Sequence, residues 1–219
     1  DAAVGGVVDI SPVIDEVSNV LLLSQTGMAV GDSFADVLLG KNYPSGKLAS
    51  TWAKYEEYCH VGDFAEVDDT RYKEGIYVGY RYFETFQKEK VLYPFGFGLT
   101  YTTFKQEFLN AELIDNEITL QVKVTNTGNF KCKDIVQIYV NAPQGKLGKP
   151  ARELGAFKKT KLLNPGESET LVMSFDVSSM ASFDDLGKIQ KSAYILEKGD
   201  HFLMIAETSK IEKFDYTLH

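Results

Sequence analysis

The sequence has few cysteines, no long apolar run and no excess of positive charge, and each shortage argues against a class of protein. Two cysteines among 219 residues, Cys59 and Cys132, do not make a disulfide scaffold, so we predict two unbridged thiols. No apolar run approaches the ~20 residues of a transmembrane helix, so we predict a soluble protein with no membrane partner. The formal net charge of −8 repels a phosphate backbone, which argues against a nucleic-acid partner.

Groups that bind metals or cofactors are also sparse. The three histidines, at 60, 201 and 219, lie far apart, and none has a second ligand type at helical spacing. A zinc site needs about four ligands at recognisable spacing, so we predict no metal site. No G-x-G-x-x-G phosphate loop and no G-x-S-x-G nucleophile elbow occurs, and we predict no cofactor. Residues 1–6 have no basic head or apolar stretch, so no signal peptide is predicted there, and the compartment stays unassigned.

Residues 1–52 have the pattern of one α/β unit. The run Asn19–Ser24 (NVLLLS) predicts a strand buried on both faces. A helix is predicted next, ending at Gly40, and Lys47–Thr51 is a candidate return strand. The apolar residues that recur at helical spacing are Met28, Phe34, Val37 and Leu38. One such unit is too little for a complete doubly wound sheet.

Residues 53–99, which we call the aromatic segment, are dense in Tyr and Phe and show no regular period. The part from Tyr72 to Phe83 suggests two interpretations. Rings can stack on the apolar faces of sugars, or they can fill an interface between domains. We favour packing, because soluble monomers rarely expose so many rings in one patch. The aromatic residues of this segment include Tyr72, Tyr77, Tyr80, Tyr82, Phe83, Tyr93, Phe95 and Phe97.

Residues 100–219 change to a period of two, which is typical of strands with one buried face. Four stretches alternate apolar and polar residues, and clusters of Gly, Pro and Asn separate them. This pattern predicts an antiparallel β-sandwich. The stretches are 118–124, 136–140, 171–177 and 202–206, and the turns are at 126–129, 164–167 and 198–200.

Five motifs in order resemble glycoside hydrolase family 3, in which β-glucosidases are found, and the resemblance covers nearly the whole chain. The motifs are GGVVDI at 5–10, ADVLLGKNYPSGKLASTW at 35–52, EGIYVGYRYFE at 74–84, YPFGFGLTYTTF at 93–104 and PARELGAF at 150–157.

The resemblance implies a mixed fold cut from a larger enzyme. Residues 1–52 would be the C-terminal remnant of the family's α/β sandwich domain, 53–99 a connecting strap, and 100–219 a fibronectin type III-like β-sandwich. In the family a (β/α)8 barrel supplies the nucleophilic aspartate and the α/β domain usually supplies the acid/base. Both precede these segments, so the resemblance implies no catalytic residue in this chain.

The resemblance also implies a function and partners for the parent protein. The parent would be a retaining β-glycosidase that hydrolyses terminal β-linked sugars. The partners of this chain would be the parent's barrel and α/β domains and its carbohydrate substrate. An open sheet edge in residues 1–52 would favour a homo-oligomer. Residues Ser24–Met28 depart from the family's usual Pro-Gly-Gln-Glu-Gly, so no substrate-binding residue is assigned.

Retaining hydrolysis needs two carboxyl groups about 5–5.5 Å apart. The candidates are Asp68 and Asp69, beside Arg71, and Glu84; we interpret the aspartates as a solvated surface pair. Arg81 and Arg152 are expected to pair with carboxylates.

Two alternative functions remain: a stand-alone carbohydrate-binding or adhesion module, and a structural spacer. A stand-alone module is expected to begin at a domain boundary, whereas this chain begins within an α/β unit. A spacer does not account for the aromatic segment.

Overall fold

A computed structural model describes residues 6–58, 67–69, 71–208 and 216–218. The chain divides into two compact units, Asp1–Tyr101 and Thr102–His219. The finer division at residues 52 and 99 stays a prediction. Cys59, His60 and His219 lie outside the described residues.

The first unit contains the predicted helix, α1, at Val30–Leu38. Gly40 ends it with a positive φ of 68°, a conformation that glycine adopts without strain. The Gly40 N–H donates to Val37 O (3.1 Å) and the Lys41 N–H donates to Asp36 O (2.8 Å). These two bonds satisfy carbonyls of the last helical turn in the pattern of a Schellman motif. The prediction of a helix ending at Gly40 is confirmed.

The two strands predicted in residues 1–52 do not form. Asn19–Ser24 is irregular apart from a single bridge residue, Leu22, and its first two residues are exposed. Lys47–Thr51 is also irregular. A strand that is apolar on both faces needs a neighbouring strand on each side, and no strand among the described residues pairs along 19–24. A two-stranded sheet forms instead from β1 (Trp52–Ala53) and β2 (Val91–Tyr93).

A second helix, α2 (Tyr80–Phe86), lies in the aromatic segment, where no regular element is predicted. Two turns of helix are too short to show a period of 3.6 residues, which explains why the sequence pattern misses it. The described residues also contain four short 3₁₀ turns, at Ile14–Glu16, Tyr55–Glu57, Lys88–Lys90 and Val177–Met180.

The second unit consists of antiparallel sheets, which confirms the predicted β-sandwich. The strands are β3 (Phe104–Ile114), β4 (Glu117–Asn126), β5 (Ile135–Asn141), β6 (Glu153–Lys159), β7 (Ser168–Asp176), β8 (Ser182–Asp184), β9 (Ala193–Ile195), β10 (His201–Ala206) and β11 (Tyr216–Leu218). The four-stranded sheet has the order β11-β10-β5-β6, the three-stranded sheet has the order β3-β4-β7, and β8 pairs with β9. The sequence pattern identifies β4, β5, β7 and β10 but misses the other strands of this unit.

The core of the sandwich comes from the apolar residues that alternate along its strands. Val122 of β4 lies opposite Leu171 of β7, and both are buried. The predicted turn at 164–167 closes with a bond from the Glu167 N–H to Asn164 O (2.9 Å). The buried core residues are Ala111, Ile118, Leu120, Val122, Val124, Val136, Ile138, Val140, Leu163, Leu171, Met173, Phe175, Met180 and Leu203.

Candidate functional site

The rings of the aromatic segment pack mainly on one another. A chain of contacts runs from Tyr77 to Phe86 (centroids 4.9 Å apart), to Tyr82 (5.7 Å), to Phe83 (5.3 Å) and to Tyr58 (5.4 Å). Three of the pairs meet edge to face at 61° to 89°, as aromatic quadrupoles favour, and the Tyr82–Phe86 pair is tilted at 52°. Faces used in this way are not open to stack on a sugar. The contacts support the packing interpretation within this unit, while packing between domains stays a prediction.

The exposure of the individual rings separates the two interpretations further. Phe83 is 1% exposed, whereas Tyr72 is 85% exposed. Tyr77, Tyr80 and Tyr82 are half-buried. Tyr72 is therefore the aromatic residue between 72 and 83 whose ring is largely open to solvent.

Substituting Tyr80 by alanine should lower the free energy of unfolding by about 2 kcal/mol, in the range for large-to-small changes at packed sites. The Tyr80 side chain is half-buried, and its ring centroid lies 4.9 Å from that of Phe95, with an angle of 32° between the ring planes. Tyr72→Ala is the matched control and should leave the melting temperature almost unchanged. Thermal unfolding of the two variants checks this prediction, and a reversed order would mean that Tyr80 is available to a ligand.

Polar groups at the start of the aromatic segment are used in local structure. The Tyr58 hydroxyl donates to Thr51 O (2.8 Å) and accepts from the Ala53 N–H (3.1 Å). Burial raises the pKa of Tyr58, which keeps this hydroxyl protonated as a donor. The Asp9 carboxylate accepts from the backbone N–H groups of Ser11 (2.9 Å) and Tyr55 (3.0 Å). Hydrogen bonds from Ser11 and then from Tyr55 lower the pKa of Asp9.

The acidic residues of the first unit that were considered as catalytic candidates differ in their exposure to solvent. Asp68, Asp69 and Arg71 are all exposed, as a solvated surface pair would be. Glu84 is 2% exposed and lies on α2. Its burial cannot be read from the sequence, because α2 is too short to show a buried face. The absence of catalytic residues from this chain stays a prediction.

Two buried carboxylates of the second unit serve the fold. Asp134 accepts a hydrogen bond from Gln106 Nε2 (2.8 Å). Asp184, 1% exposed, accepts four backbone N–H bonds of 2.7–3.0 Å from the loop after β8. Burial alone would raise the pKa of Asp184, but these four bonds hold the pKa below its ordinary value. The donors are Gly187, Lys188, Ile189 and Gln190.

The structure also describes one cysteine and two arginines that the sequence analysis singles out. Cys132 is buried and forms no disulfide. Arg152 is 8% exposed and Arg81 is half-buried; their pairing with carboxylates stays a prediction.

Within the described ranges, no cluster of three or more His, Cys, Asp or Glu side chains could hold a metal ion. No helix in the same ranges is long and apolar enough to span a membrane.

Comparison with known sequences identifies the family. Residues 2–101 match the glycosyl hydrolase family 3 C-terminal domain, and residues 134–209 match the fibronectin type III-like domain. Beta-glucosidase A of Butyrivibrio fibrisolvens is 46% identical over 98% of this chain. The chain belongs to glycoside hydrolase family 3. The predicted family membership is thereby confirmed, and so is the order of an α/β part followed by a fibronectin type III-like sandwich.

Solved structures of family 3 enzymes share this fold. A β-glucosidase from Paenibacillus barengoltzii superposes with a TM-score of 0.91, at 43% identity over 99% of this chain. β-Glucosidase 3B from Thermotoga neapolitana in complex with glucose gives 0.86, at 37% identity over 98%. The chain spans 24% and 29% of these two proteins and 28% of the Butyrivibrio relative. It therefore corresponds to a C-terminal portion of the family 3 β-glucosidases.

Proposed function

We propose that this chain is the C-terminal scaffold of a retaining β-glycosidase that hydrolyses terminal β-linked sugars, and that the chain alone is inactive. One observation carries the proposal. The chain matches a β-glucosidase at 46% identity over 98% of its own length, yet it spans 28% of that relative. Retaining hydrolysis requires a nucleophilic and an acid/base carboxyl group on opposite sides of the scissile bond. In the family, both belong to parts that precede these segments.

The bonding of the buried carboxylates supports a structural role. Asp134 is hydrogen-bonded to a glutamine amide and Asp184 to four backbone N–H groups. A carboxylate committed to such bonds is poorly suited to attack a sugar or to exchange a proton with it. The partners of this chain are then the barrel and α/β domains of the parent, and the carbohydrate is a substrate of the parent.

Exposed apolar side chains in and beside α1 support a homo-oligomer of the isolated chain. Met28 is fully exposed, and Leu38 and Leu39 are 60% and 69% exposed. Large exposed apolar side chains favour contact with another surface. In the parent, the preceding domains would cover these side chains. In the isolated chain, a second copy would cover them, which gives a homo-oligomer through residues 1–52.

An exchange of segments tests the function. The part of Butyrivibrio β-glucosidase A that matches this chain is replaced by residues 1–219, and hydrolysis of an aryl β-glucoside is measured. We expect the chimera to retain turnover, and the relative without its matched segment to lose it. We expect the isolated chain to show none, because it would lack both reacting carboxyl groups.

Three results would count against the proposal. Turnover by the isolated chain that survives repurification and scales with its concentration would place the reacting groups in this chain. An inactive chimera that is folded by circular dichroism would show that this segment cannot serve as the family's scaffold. Saturable binding of cello-oligosaccharides by the isolated chain would favour a carbohydrate-binding module instead.

A further inference from the structure

Two loops pack against each other at one end of the four-stranded sheet. The first, residues 142–152, connects β5 to β6, and the second, residues 196–200, leads into β10. The Glu197 carboxylate joins them, because it accepts from the backbone N–H of Lys146 (2.6 Å) and of Leu147 (3.2 Å). These two bonds fasten the first loop to the second.

The loops approach too closely for a side chain at Gly199. A Cβ atom there would lie 2.9 Å from the Pro143 Cβ atom, and Gly199 has a φ of 147° that other residues rarely adopt. The Gly199 carbonyl lies 3.0 Å from Nδ1 of His201, the first residue of β10. A carbonyl oxygen only accepts, so Nδ1 carries the proton in this contact. In neutral His201, Nε2 is then the unprotonated nitrogen.

Two side-chain nitrogens of this part of the chain are buried, Lys149 Nζ and His201 Nε2. Lys149 is 2% exposed and His201 is 5% exposed. Neither Lys149 Nζ nor His201 Nε2 has a hydrogen-bond partner among the described residues. Lys149 lies in the 142–152 loop that Glu197 fastens to the loop before His201, and its charge disfavours protonation of the imidazole. A proton on Nε2 would add a second cation and a donor without an acceptor.

The other charged groups that act on the pair are three carboxylates. Glu197 and Glu153 favour the Lys149 ammonium, and Asp200 favours protonated His201. We infer that Lys149 and His201 form a pH-sensitive latch, in which protonation of His201 releases the 142–152 loop from the 196–200 loop. Release moves one of the two cations into water, and it breaks the bonds from Lys146 and Leu147 to Glu197.

The direction of the pH effect follows from the favoured protonation state. Burial, and then the Lys149 charge, lower the pKa of His201. The hydrogen bond to Gly199 and the negative charge of Asp200 raise this pKa, but the net shift is downward. Burial also lowers the pKa of Lys149. A histidine with a lowered pKa stabilises the fold above its ordinary value near 6.5, and this stability is lost as the pH falls toward the folded pKa. The latch is therefore closed at neutral pH and opens in mild acid.

The experiment uses residues 1–219 and two measurements. Titration by NMR follows His201, which is distinguished from His60 and His219 by the loss of its signal in His201→Asn. We expect His201 to titrate below the ordinary histidine value of 6.5 and to carry its neutral proton on Nδ1. Hydrogen exchange of the Lys146 and Leu147 amides, corrected for intrinsic rates, should lose protection several-fold between about pH 7.5 and pH 5.

Two substitutions and one control variant separate the latch from general acid sensitivity. Lys149→Met removes the charge at similar length, and it should raise the pKa of His201 and reduce the pH dependence of exchange. Lys146→Met, at an exposed position of the same loop, is the matched control and should change neither. His201→Asn keeps a donor for Gly199 O and should abolish the pH dependence even if Lys149→Met fails to fold. An unchanged His201 titration in folded Lys149→Met, or amides protected equally at both pH values, would overturn the inference.

Discussion

Substituting Phe83 by alanine should lower the free energy of unfolding by ~3–5 kcal/mol, the range for removing a buried phenyl ring. Phe83 is 1% exposed and lies on α2, with ring centroids 5.4 Å from Tyr58 and 5.3 Å from Tyr82. Removing the ring leaves a cavity and also ends two edge-to-face contacts. The first unit should therefore unfold at a clearly lower temperature.

The matched control for this prediction lies on the same helix. Phe86 is 56% exposed, so Phe86→Ala should cost much less than Phe83→Ala. Thermal or urea unfolding followed by near-ultraviolet circular dichroism measures both variants. Equal losses at the two positions would mean that Phe83 is not the centre of the aromatic packing.

Substituting Asp184 by asparagine should lower the melting temperature of the second unit by roughly 5 °C or more, because buried donors lose their acceptor. The carboxylate accepts from four successive backbone N–H groups, at 187 to 190. An asparagine has a single acceptor oxygen and turns its NH₂ group toward the remaining donors. The loop between β8 and β9 should then detach from the end of β8.

The pH dependence of this variant's melting temperature shows whether the charge of Asp184, and not only its shape, stabilises the loop. The lowered pKa of Asp184 means that its stabilisation is present above the ordinary value of 3.8 and is lost as the pH falls through the folded pKa. The difference in melting temperature between the wild type and Asp184→Asn should thus be largest near neutral pH and shrink below about pH 3.8. Asp185→Asn, at the exposed neighbouring position, is the control. A difference that does not change with pH would contradict the assigned role of the charge.

Local patterns in the sequence were enough to predict the sandwich and α1. Ile118, Leu120 and Val122 alternate with polar residues along β4, and a strand with one buried face imposes that period of two. Gly40 marks the end of α1, because the left-handed conformation there suits glycine. The five motifs that indicated glycoside hydrolase family 3 depend on residue order alone, and the comparisons confirmed the family.

The strand predicted at Asn19–Ser24 shows where local pattern fails. Its apolar run is suited to the centre of a sheet, yet a strand exists only when neighbours accept and donate its backbone hydrogen bonds. No described strand pairs along it, and the segment stays irregular. The apolar sequence sets a preference for burial, but the pairing partner decides whether that preference becomes a strand.

The sequence by itself determined the family, the period of the main strands, the position of α1 and the turn at 164–167. Tertiary structure alone decided which polar residues are buried and what they bind, because burial depends on segments distant along the chain. Glu84 and Asp184 look no different in the sequence from the exposed Asp68 and Asp185. Lys149 and His201 lie far apart in the sequence, and the packing of their two loops decides that both are buried and that the charge of one acts on the other.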